Sequence, residues 1–387
     1  MSVGIWQTPG APKDAPGAAP PRADTVIIGA GIIGAYLALR LRADNHTIAV
    51  LDARHVAGGA SGRNGGLLLT GVAHSYLSAC KLYGADTTRE LWQVTVRNRE
   101  AMISWATTLG TPVRRCGSYI LAVNDAEAEE LRQSVELMNE AGFAATWHAT
   151  DPLKRGFAGA IGNPEDGAIQ PALLAAAMLK ESGASIREAA EVYALESRDD
   201  GVLVRARGGD VLAGRVFLAT NAWTPLLVRE FAGLIIPARG QVLATAPAPR
   251  ILEQAAYCDH GFEYFQQTPE GRLVLGGYRN LAFDDERTYA DQTTALIQEA
   301  LDAFLARHFP ELAEVPIERR WSGTMGFTTD GLPLVGRLRR DERIAFAVGF
   351  NGHGLGLGLM VADELLAELA GTPAGLFAAR RLMPEAI

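Results

Sequence analysis

The stretch DTVIIGAGIIGAYLALRLRADNHTIAVLD, which runs from Asp24 to Asp52, determines the fold that we predict for this chain. The apolar run VII is typical of a buried parallel strand, and TIAVLD is typical of a second one. Between them lie a G-x-G-x-x-G loop and a helical pattern. This order of strand, glycine loop, helix and strand predicts a βαβ unit that binds a dinucleotide.

Each glycine of this loop has a mechanical role. Gly29 allows the tight turn, Gly31 lets the backbone approach a diphosphate, and Gly34 lets the helix pack closely on the strand. The helix N-terminus attracts phosphate charge, and Asp52 can accept hydrogen bonds from a ribose. A chance glycine turn would not explain Asp52. We therefore predict that the dinucleotide contacts Gly29, Ala30, Gly31, Ile32, Ile33, Gly34, Asp52, Ala53 and Arg54.

A second glycine-rich segment, GGASGRNGG at Gly58–Gly66, indicates which dinucleotide is bound. A nicotinamide site has no obvious use for another anion-binding loop, whereas a permanently bound FAD can be closed over by one. Ser61, Arg63 and Asn64 can supply hydrogen-bond donors; the alternative is a plain connecting loop. We predict an FAD site that also includes Gly59, Ala60, Ser61, Arg63, Asn64, Gly65, Gly66 and Leu67.

The composition argues against several other classes of protein. The net charge of −8 argues against nucleic acid or an anionic membrane as the main partner. The three cysteines show no metal-binding spacing and are typical of reduced thiols. We find neither a membrane-spanning apolar run nor a signal-peptide pattern. We therefore predict a soluble cytoplasmic protein without a metal, with a flexible arm over residues 1–22 that packs in part through Trp6.

The rest of the chain alternates between nucleotide-fold segments and antiparallel strands. A β-meander covers residues 187–220, and a hairpin covers Phe262–Asn280. Helices are predicted at Thr87–Leu109, Asp125–Ala141, Thr288–Phe309 and Leu357–Leu369. The predicted fold is α/β (α+β): a discontinuous Rossmann-like FAD-binding domain with an antiparallel-sheet substrate domain. The first domain takes residues 23–80, 150–235 and 320–387, and the second takes residues 81–149 and 236–319.

Seven segments in order resemble the FAD-dependent D-amino-acid oxidase superfamily over residues 24 to about 371. They are VIIGAGIIGAYLALRL, GGASGRNGG, FLATNAWTPLL, PARGQVLAT, GRLVLGGY, WSGTMGFTTDGLPLVG and GFNGHGLGLG. Within that group, the sequence looks most similar to the γ-glutamylputrescine oxidase-like branch. The resemblance implies that the last glycine loop faces the flavin ring. It implies that the cofactor also contacts Val192, Ala219, Thr220, Asn221, Trp223, Gly323, Met325, Gly326, Asn351, Gly352, His353, Gly354 and Leu355.

The resemblance also implies an activity. Flavin-dependent amine oxidation transfers hydride from the C–H beside nitrogen to flavin N5, and the protein supplies orientation and electrostatics. We therefore predict an FAD-dependent oxidoreductase that oxidises the C–N bond of a small primary or secondary amine or amino acid to an imine. O₂ or another acceptor would reoxidise the flavin. The alternatives are a flavin-bearing electron-transfer subunit of a larger amine dehydrogenase complex and, less favoured by the glycine loops, an NAD-linked dehydrogenase.

Two aromatic-type side chains are candidates for the catalytic site. His353 would donate a hydrogen bond to the flavin ring or the substrate; otherwise it is a structural histidine that fixes its loop. Tyr264, together with its neighbour Phe265, would line an amine cage through cation–π attraction; otherwise the two are core aromatics on alternating faces.

Two further candidates carry open alternatives. Arg279 would bind a substrate carboxylate, or it would form a surface ion pair with Asp284 or Asp285. Trp321 would pack beside the flavin, or it would be an ordinary core residue.

Two departures from the family pattern narrow the prediction. Sarcosine oxidases place a lysine after the GHG stretch to hold the substrate carboxylate, and this chain has Leu355 and Gly356 there. They attach FAD through a cysteine in the segment that corresponds to WSGTMG, and this chain has none in that segment. We therefore predict non-covalent FAD and a substrate whose carboxylate, if any, is distant from its nitrogen.

Overall fold

The computed structural model describes residues 2–7, 20–43, 46–373 and 375–384. Within these ranges the helices are α1 (Ile32–Leu41), α2 (Tyr76–Tyr83), α3 (Ala85–Thr108), α4 (Asp125–Glu140), α5 (Pro171–Ser182), α6 (Thr224–Leu227), α7 (Ala295–His308) and α8 (Gly354–Leu369). The strands are β1 (Arg22–Ile28), β2 (Ile48–Leu51), β3 (Leu67–Leu68), β4 (Val113–Arg114), β5 (Ser118–Ala122), β6 (Thr146–His148), β7 (Gly159–Asn163), β8 (Gly167–Ile169), β9 (Ser185–Arg187), β10 (Val192–Arg198), β11 (Gly201–Ala206), β12 (Val211–Leu218), β13 (Ile236–Thr245), β14 (Ala255–Cys258), β15 (Glu263–Gln267), β16 (Leu273–Gly277), β17 (Ile317–Phe327), β18 (Leu334–Leu338) and β19 (Asp341–Val348).

The first sheet is built around the predicted βαβ unit. Its order is β10-β11-β12-β1-β2-β9, and β19 pairs with both β12 and β18. Strand β1 is parallel to β2 and to β12, so their carboxyl ends meet at one edge. Helix α1 has eight of its ten residues buried and shares a core with α3, α5 and α8. This arrangement places the glycine loop after β1 at the edge where doubly wound sheets bind ligands.

The second sheet is mostly antiparallel, with the order β17-β13-β16-β15-β14-β5-β7-β6. Its strands alternate, so that one side of β15 packs on α7 through Phe265, whereas the other side carries Tyr264. A small sheet, β3-β8-β4, lies beside them. The predicted α/β (α+β) class, with a Rossmann-like sheet and an antiparallel sheet, is confirmed.

The two sheets do not follow the proposed domain boundaries at every point. Strand β7 belongs to the second sheet, although it lies in the segment 150–235 that we predict for FAD binding. Most of β17 lies in another predicted FAD-binding segment, 320–387, and β17 also belongs to the second sheet. Helix α3 joins the core of the first sheet through residues such as Leu91 and Met102, although it falls in the segment 81–149. Side chains from segments of both predicted domains thus share one hydrophobic core. The division into two domains stays a proposal.

Two helices start three or more residues away from the position that the sequence pattern predicts, whereas α3 starts only two residues earlier, at Ala85. Helix α7 begins at Ala295 instead of Thr288, because the preceding residues are bound elsewhere: Glu286 pairs with Arg239, and Asp291 pairs with Arg63. Helix α8 begins at Gly354, three residues before the predicted start, so that its N-terminal turn reaches the functional site.

The predicted arm is described only in part. Residues 2–7 pack on the rest of the molecule, and Trp6 is 8% exposed. Residues 8–19 lie outside the described residues.

Candidate active site

A cavity of about 650 Å³ extends from the N-terminus of α1 to the N-terminus of α8. That volume falls in the usual range of cofactor and ligand sites. Most of the predicted residues line it: Gly29, Gly31, Ile32, Ile33, Asp52, Ala53, Arg54, Gly59, Ala60, Ser61, Arg63, Asn64, Gly65, Gly66, Leu67, Val192, Ala219, Thr220, Asn221, Trp223, Tyr264, Gly323, Met325, Gly352, His353, Gly354 and Leu355.

Four residues predicted to contact the cofactor lie behind this lining: Ala30, Gly34, Gly326 and Asn351. A side chain at Gly34 would collide with the carbonyl of Gly29, so that Gly34 permits close packing of the loop on its helix. Asn351 is buried, accepts a hydrogen bond from the Thr328 amide at 2.8 Å, and donates to the Gly349 carbonyl at 2.7 Å. It fixes the last glycine loop from behind.

The start of α1 has the geometry of a diphosphate site. A Cβ at Gly31 would lie 2.9 Å from Ser61 Oγ, so only glycine leaves the two loops at this distance. Ser61 Oγ accepts a hydrogen bond from the Ile32 amide at 2.9 Å, and the helix dipole adds positive potential there. The first and second glycine-rich segments therefore meet at one anion-binding position.

The Asp52 carboxylate supports this loop from β2. It accepts hydrogen bonds from the Ala30 amide and from the Arg54 amide, each at 2.7 Å. Burial raises its pKa, an effect that these two bonds oppose. Asp52 also lines the cavity, so a ligand hydroxyl has access to its remaining acceptor capacity.

The side chains of the second loop act differently from the sequence expectation. The Arg63 guanidinium donates to Gly58 O, Asp291 Oδ1 and Ser322 O, each at 2.9 Å. Asn64 Nδ2 donates to Ala60 O at 3.0 Å. These groups hold the loop in shape, so we assign anion binding there to backbone amides rather than to the Arg63 and Asn64 side chains.

Three planar groups meet at one part of the cavity, where Arg54 and Trp223 belong to the lining. The Arg54 guanidinium lies over the Trp223 ring at 5.0 Å, and Tyr289 lies against the same ring with 4.9 Å between ring centroids. Tyr193 and Leu226 also line the cavity and are more than 60% exposed. A flat heterocycle such as adenine fits an apolar and cationic lining of this kind.

His353 also lines the cavity and is fixed by its own loop. Its Nδ1 lies 3.1 Å from the Asn351 carbonyl, which can only accept, so Nδ1 carries the proton. Burial lowers the pKa of the imidazole, which is therefore neutral near pH 7. Nε2 is then an acceptor, and it has no partner among the described residues. In this tautomer the ring presents an acceptor to a ligand in place of the predicted donor, and its bond to Asn351 agrees with the alternative of a histidine that fixes its own loop.

Tyr264 and Tyr257 form an aromatic wall beside His353. They face each other across β14 and β15 with 6.1 Å between centroids, and Tyr257 lies 6.2 Å from the His353 ring. The Tyr264 ring fits between Gly65 and Gly276, where a Cβ would overlap it. Burial raises the pKa of Tyr257 to about 12 and raises that of Tyr264 further. Both phenols therefore stay protonated across the working pH range.

Arg279 and Trp321 are not among the cavity-lining residues. The Arg279 guanidinium lies over Phe327 at 4.7 Å, Phe262 at 4.9 Å and Phe283 at 5.5 Å. It makes no ion pair within the described part of the chain, and burial lowers its pKa.

Trp321 is fully buried, and its Nε1 donates to the Arg63 carbonyl at 2.9 Å. The structure thus places Trp321 behind the second glycine loop, outside the cavity lining.

Several lining residues were not identified from the sequence: Ile28, Leu51, Leu69, Glu191, Tyr193, Arg207, Leu226, Leu227, Gly240, Tyr257, Thr324, Phe350 and Gly356. The first two end the strands that flank the glycine loop, so strand-end position was a usable signal. Tyr257 lies on a short strand without a strong sequence pattern, and only its pairing with Tyr264 brings it to the cavity.

Glu263 is a buried acid on the side of β15 opposite to Tyr264, and its Oε1 has no hydrogen-bond partner among the described residues. Burial, helped by the Asp259 and Glu127 carboxylates, raises its pKa from 4.5 to about 8. Because the folded state holds this proton more tightly than the unfolded chain, its contribution to stability is lost as the pH rises from about 4.5 to about 8. The loss is on the order of 5 kcal/mol at most.

We therefore expect Glu263→Gln to raise the melting temperature relative to the wild type more at pH 9 than at pH 6. Thermal unfolding at both pH values, with exposed Glu314→Gln as the control, measures this. An equal effect of Glu263→Gln at the two pH values would contradict the assignment of this pKa.

No described helix is long and apolar enough to cross a membrane. Within the same residues, no group of three or more His, Cys, Asp and Glu side chains could hold a metal ion. A Rossmann-like sheet, a glycine loop at the N-terminus of α1 and a cavity with an aromatic wall are typical of the class of FAD-binding oxidoreductases.

Comparison with known proteins identifies the family within this class. The profile of the family described as FAD dependent oxidoreductase (DAO) matches residues 24–369. The chain is 27% identical over 381 residues to gamma-glutamylputrescine oxidoreductase of Escherichia coli strain K12, covering 94% of this chain and 87% of that protein. It is 27% identical over 367 residues to glycine oxidase of Geobacillus kaustophilus strain HTA426, covering 88% and 92%.

The solved structure of L-proline dehydrogenase from P. horikoshii has the same fold, with a TM-score of 0.77 and 24% identity, covering 95% of this chain and 98% of that one. Because the family profile spans most of the sequence, the chain belongs to the DAO family of FAD-dependent oxidoreductases, which act on amines or amino acids. The predicted resemblance is confirmed.

Proposed function

We propose that this enzyme oxidises the C–N bond of a small primary or secondary amine or amino acid to an imine, and that O₂ or another acceptor completes the cycle. The observation that carries this proposal is the neutral His353 beside the Tyr257 and Tyr264 rings in the lining of the cavity. Two electron-rich rings attract an amine or its ammonium form. The Nε2 acceptor suits a substrate N–H.

The residues of the cavity fit FAD. The α1 N-terminus and the amides of residues 58–66 would hold the diphosphate, and Arg54 with Trp223 would flank the adenine. When bound, FAD would supply a two-electron acceptor for the oxidation of the carbon beside the substrate nitrogen. The protein holds the nitrogen, keeps the Tyr257 and Tyr264 phenols protonated, and excludes water from the apolar wall.

A panel of amines and amino acids tests this activity. Each compound is mixed anaerobically with the purified protein, and bleaching of the flavin absorbance is recorded. We expect bleaching by at least one small amine and none by NADH. Bleaching by NADH alone would overturn the proposal, since it would indicate a nicotinamide-linked enzyme. Continued turnover of the isolated chain with O₂ would exclude the alternative, an obligate subunit of a larger complex.

We propose that FAD is bound without a covalent link. The three cysteines, Cys80, Cys116 and Cys258, all lie outside the cavity lining. The one histidine that lines it, among the described residues, is His353, whose Nδ1 is engaged by Asn351. Acid precipitation of the protein is therefore expected to release the yellow flavin into the supernatant. Flavin that stays in the pellet would contradict this proposal.

We propose that Arg279 attracts a carboxylate that lies distant from the reacting nitrogen of the substrate. The alternative ion pair is not formed with Asp284, which pairs with Arg287 instead. Arg279 lies close enough to His353 and Tyr264 to influence the pKa of each. Because Arg279 lies outside the cavity lining, this role requires the carboxylate end of the substrate to extend past the Tyr264 and His353 rings to the guanidinium. A charge-assisted hydrogen bond there would contribute about 1.5–3 kcal/mol.

Arg279→Met is accordingly expected to raise KM about 10- to 100-fold for an amine that bears a distal carboxylate. The kcat for that substrate and the KM for an uncharged amine of similar size should change little. Steady-state kinetics with both substrates measure this, with exposed Arg287→Met as the control. An equal rise of KM for both substrates would contradict a carboxylate-binding role.

A further inference from the structure

Residues 2–7, which we call the strap, lie across the outer face of the second glycine-rich loop, residues 58–66. Trp6 Nε1 donates to the Asn64 carbonyl at 2.6 Å, and Gln7 Nε2 donates to the Ala57 carbonyl at 3.2 Å. A Cβ at Gly4 would lie 2.5 Å from the Gly62 carbonyl oxygen, so the strap backbone is in close contact with the loop backbone.

The strap is also tied to the second sheet. Ser2 Oγ donates to Asp291 Oδ1 at 2.5 Å and accepts from the Ser322 amide at 3.2 Å. Arg63 Nη1 lies 2.9 Å from the same Asp291 oxygen and 3.2 Å from Ser2 Oγ. The Arg63 and Asp291 side chains are 4% and 12% exposed, so Ser2 completes a buried ion pair. The strap thereby joins the loop to β17 and to the segment before α7.

The inner face of the same loop lines the cavity from Gly59 to Gly66. The Trp6 ring lies 2.8 Å from where a Cβ of Gly66 would be, so Trp6 packs directly against this end of the loop. Gly66 also has a φ of +73°, which favours glycine at this position. The Arg63 and Asn64 side chains already bond to protein carbonyl groups, Arg63 to Ser322 O and Asn64 to Ala60 O. The positions of the backbone amides in the loop therefore depend on the residues that pack against its outer face. Ser2, Trp6 and Gln7 are the side chains of the strap that do so.

We propose that the strap is a positioning element for the cofactor, in which Trp6 holds residues 58–66 in the conformation that receives the FAD diphosphate. Preorganised amides bind an anion without a further ordering cost. The inference rests on the assignment of FAD to the cavity, and it concerns affinity for FAD rather than the chemical step.

The main competing explanation is that Trp6 contributes only to the stability of the fold. Trp6 belongs to a small buried cluster with Val242, Ala244, Val274 and Trp321. Val274 is fully buried in this cluster on β16, and it does not line the cavity. Val274→Ala therefore weakens the same cluster without removing a contact to the loop, which makes it the matched control.

The test compares Trp6→Ala, Trp6→Phe and Val274→Ala as full-length apoproteins. FAD affinity is measured by quenching of flavin fluorescence on titration, and the melting temperature of each apoprotein is measured alongside. We expect Trp6→Ala to weaken FAD binding at least about tenfold. Trp6→Phe, which keeps a ring but loses the N–H donor, should weaken it about 2- to 10-fold. Val274→Ala should lower the melting temperature and leave FAD affinity unchanged.

Unchanged FAD affinity in both Trp6 variants would overturn the proposal. So would a loss of affinity in Val274→Ala as large as that in Trp6→Ala at an equal drop in melting temperature, because the effect would then follow general stability. If Trp6→Ala does not fold, the same criteria are applied to the FAD affinities and melting temperatures of Trp6→Phe and Val274→Ala. A failure of the wild-type protein to bind FAD would instead disprove the cofactor assignment itself.

Discussion

Replacing Gly31 with valine is expected to abolish FAD binding, with a fall in affinity on the order of a thousandfold or more. The Cβ would lie 2.9 Å from Ser61 Oγ, which accepts the Ile32 amide hydrogen bond, and the γ-methyl groups would enter the diphosphate position. The backbone itself tolerates valine, since Gly31 has φ −77° and ψ −176°. The variant is therefore expected to fold.

The measurement is titration of the apoprotein with FAD, together with its melting temperature. Leu296→Val, at an exposed position of α7, is the control for introducing valine into a helical segment. Normal FAD binding by Gly31→Val would show that the first glycine loop is not the diphosphate site.

The second large effect is a pH dependence of the reaction with substrate. Hydride cannot leave a carbon beside a protonated nitrogen, and aliphatic ammonium groups have pKa values near about 10.4. The pKa of His353 is lowered by burial and that of Tyr257 is raised to about 12, so neither changes charge between about pH 7 and pH 10. The rate of flavin reduction at subsaturating amine should then rise roughly tenfold per pH unit, until the lowest relevant pKa is passed.

Anaerobic stopped-flow reduction from pH 6 to pH 10 measures this profile. His353→Gln is expected to lower the rate and to keep the slope, because the proton that limits the reaction belongs to the substrate. His74→Gln is the control, since the exposed His74 imidazole lies near His353. A flat profile in the wild type would mean that a protein group takes the substrate proton over this range.

The local parts of the fold were predictable because their causes lie within a few residues. The order of strand, Gly29-x-Gly31-x-x-Gly34, helix and strand requires only short-range sterics and buried apolar runs, and it is observed in β1, α1 and β2. The end of α7 could be read to within one residue, whereas its start could not. The segment before Ala295 is held by Arg239 and Arg63, which are remote in sequence.

The sequence by itself determined the family, the dinucleotide loop, and most of the residues that line the cavity, since these depend on glycine spacing and on the ends of buried strands. Only the tertiary structure decided what the polar and aromatic side chains do. In the structure, the Arg63 and Asn64 side chains support their own loop, and Trp321 lies behind that loop. Tyr257 forms part of the aromatic wall, and Trp6 packs across the outer face of the loop. The physical reason is that a backbone conformation is set by neighbours in the chain. The partner of a long side chain is set by whichever distant segment is packed against it.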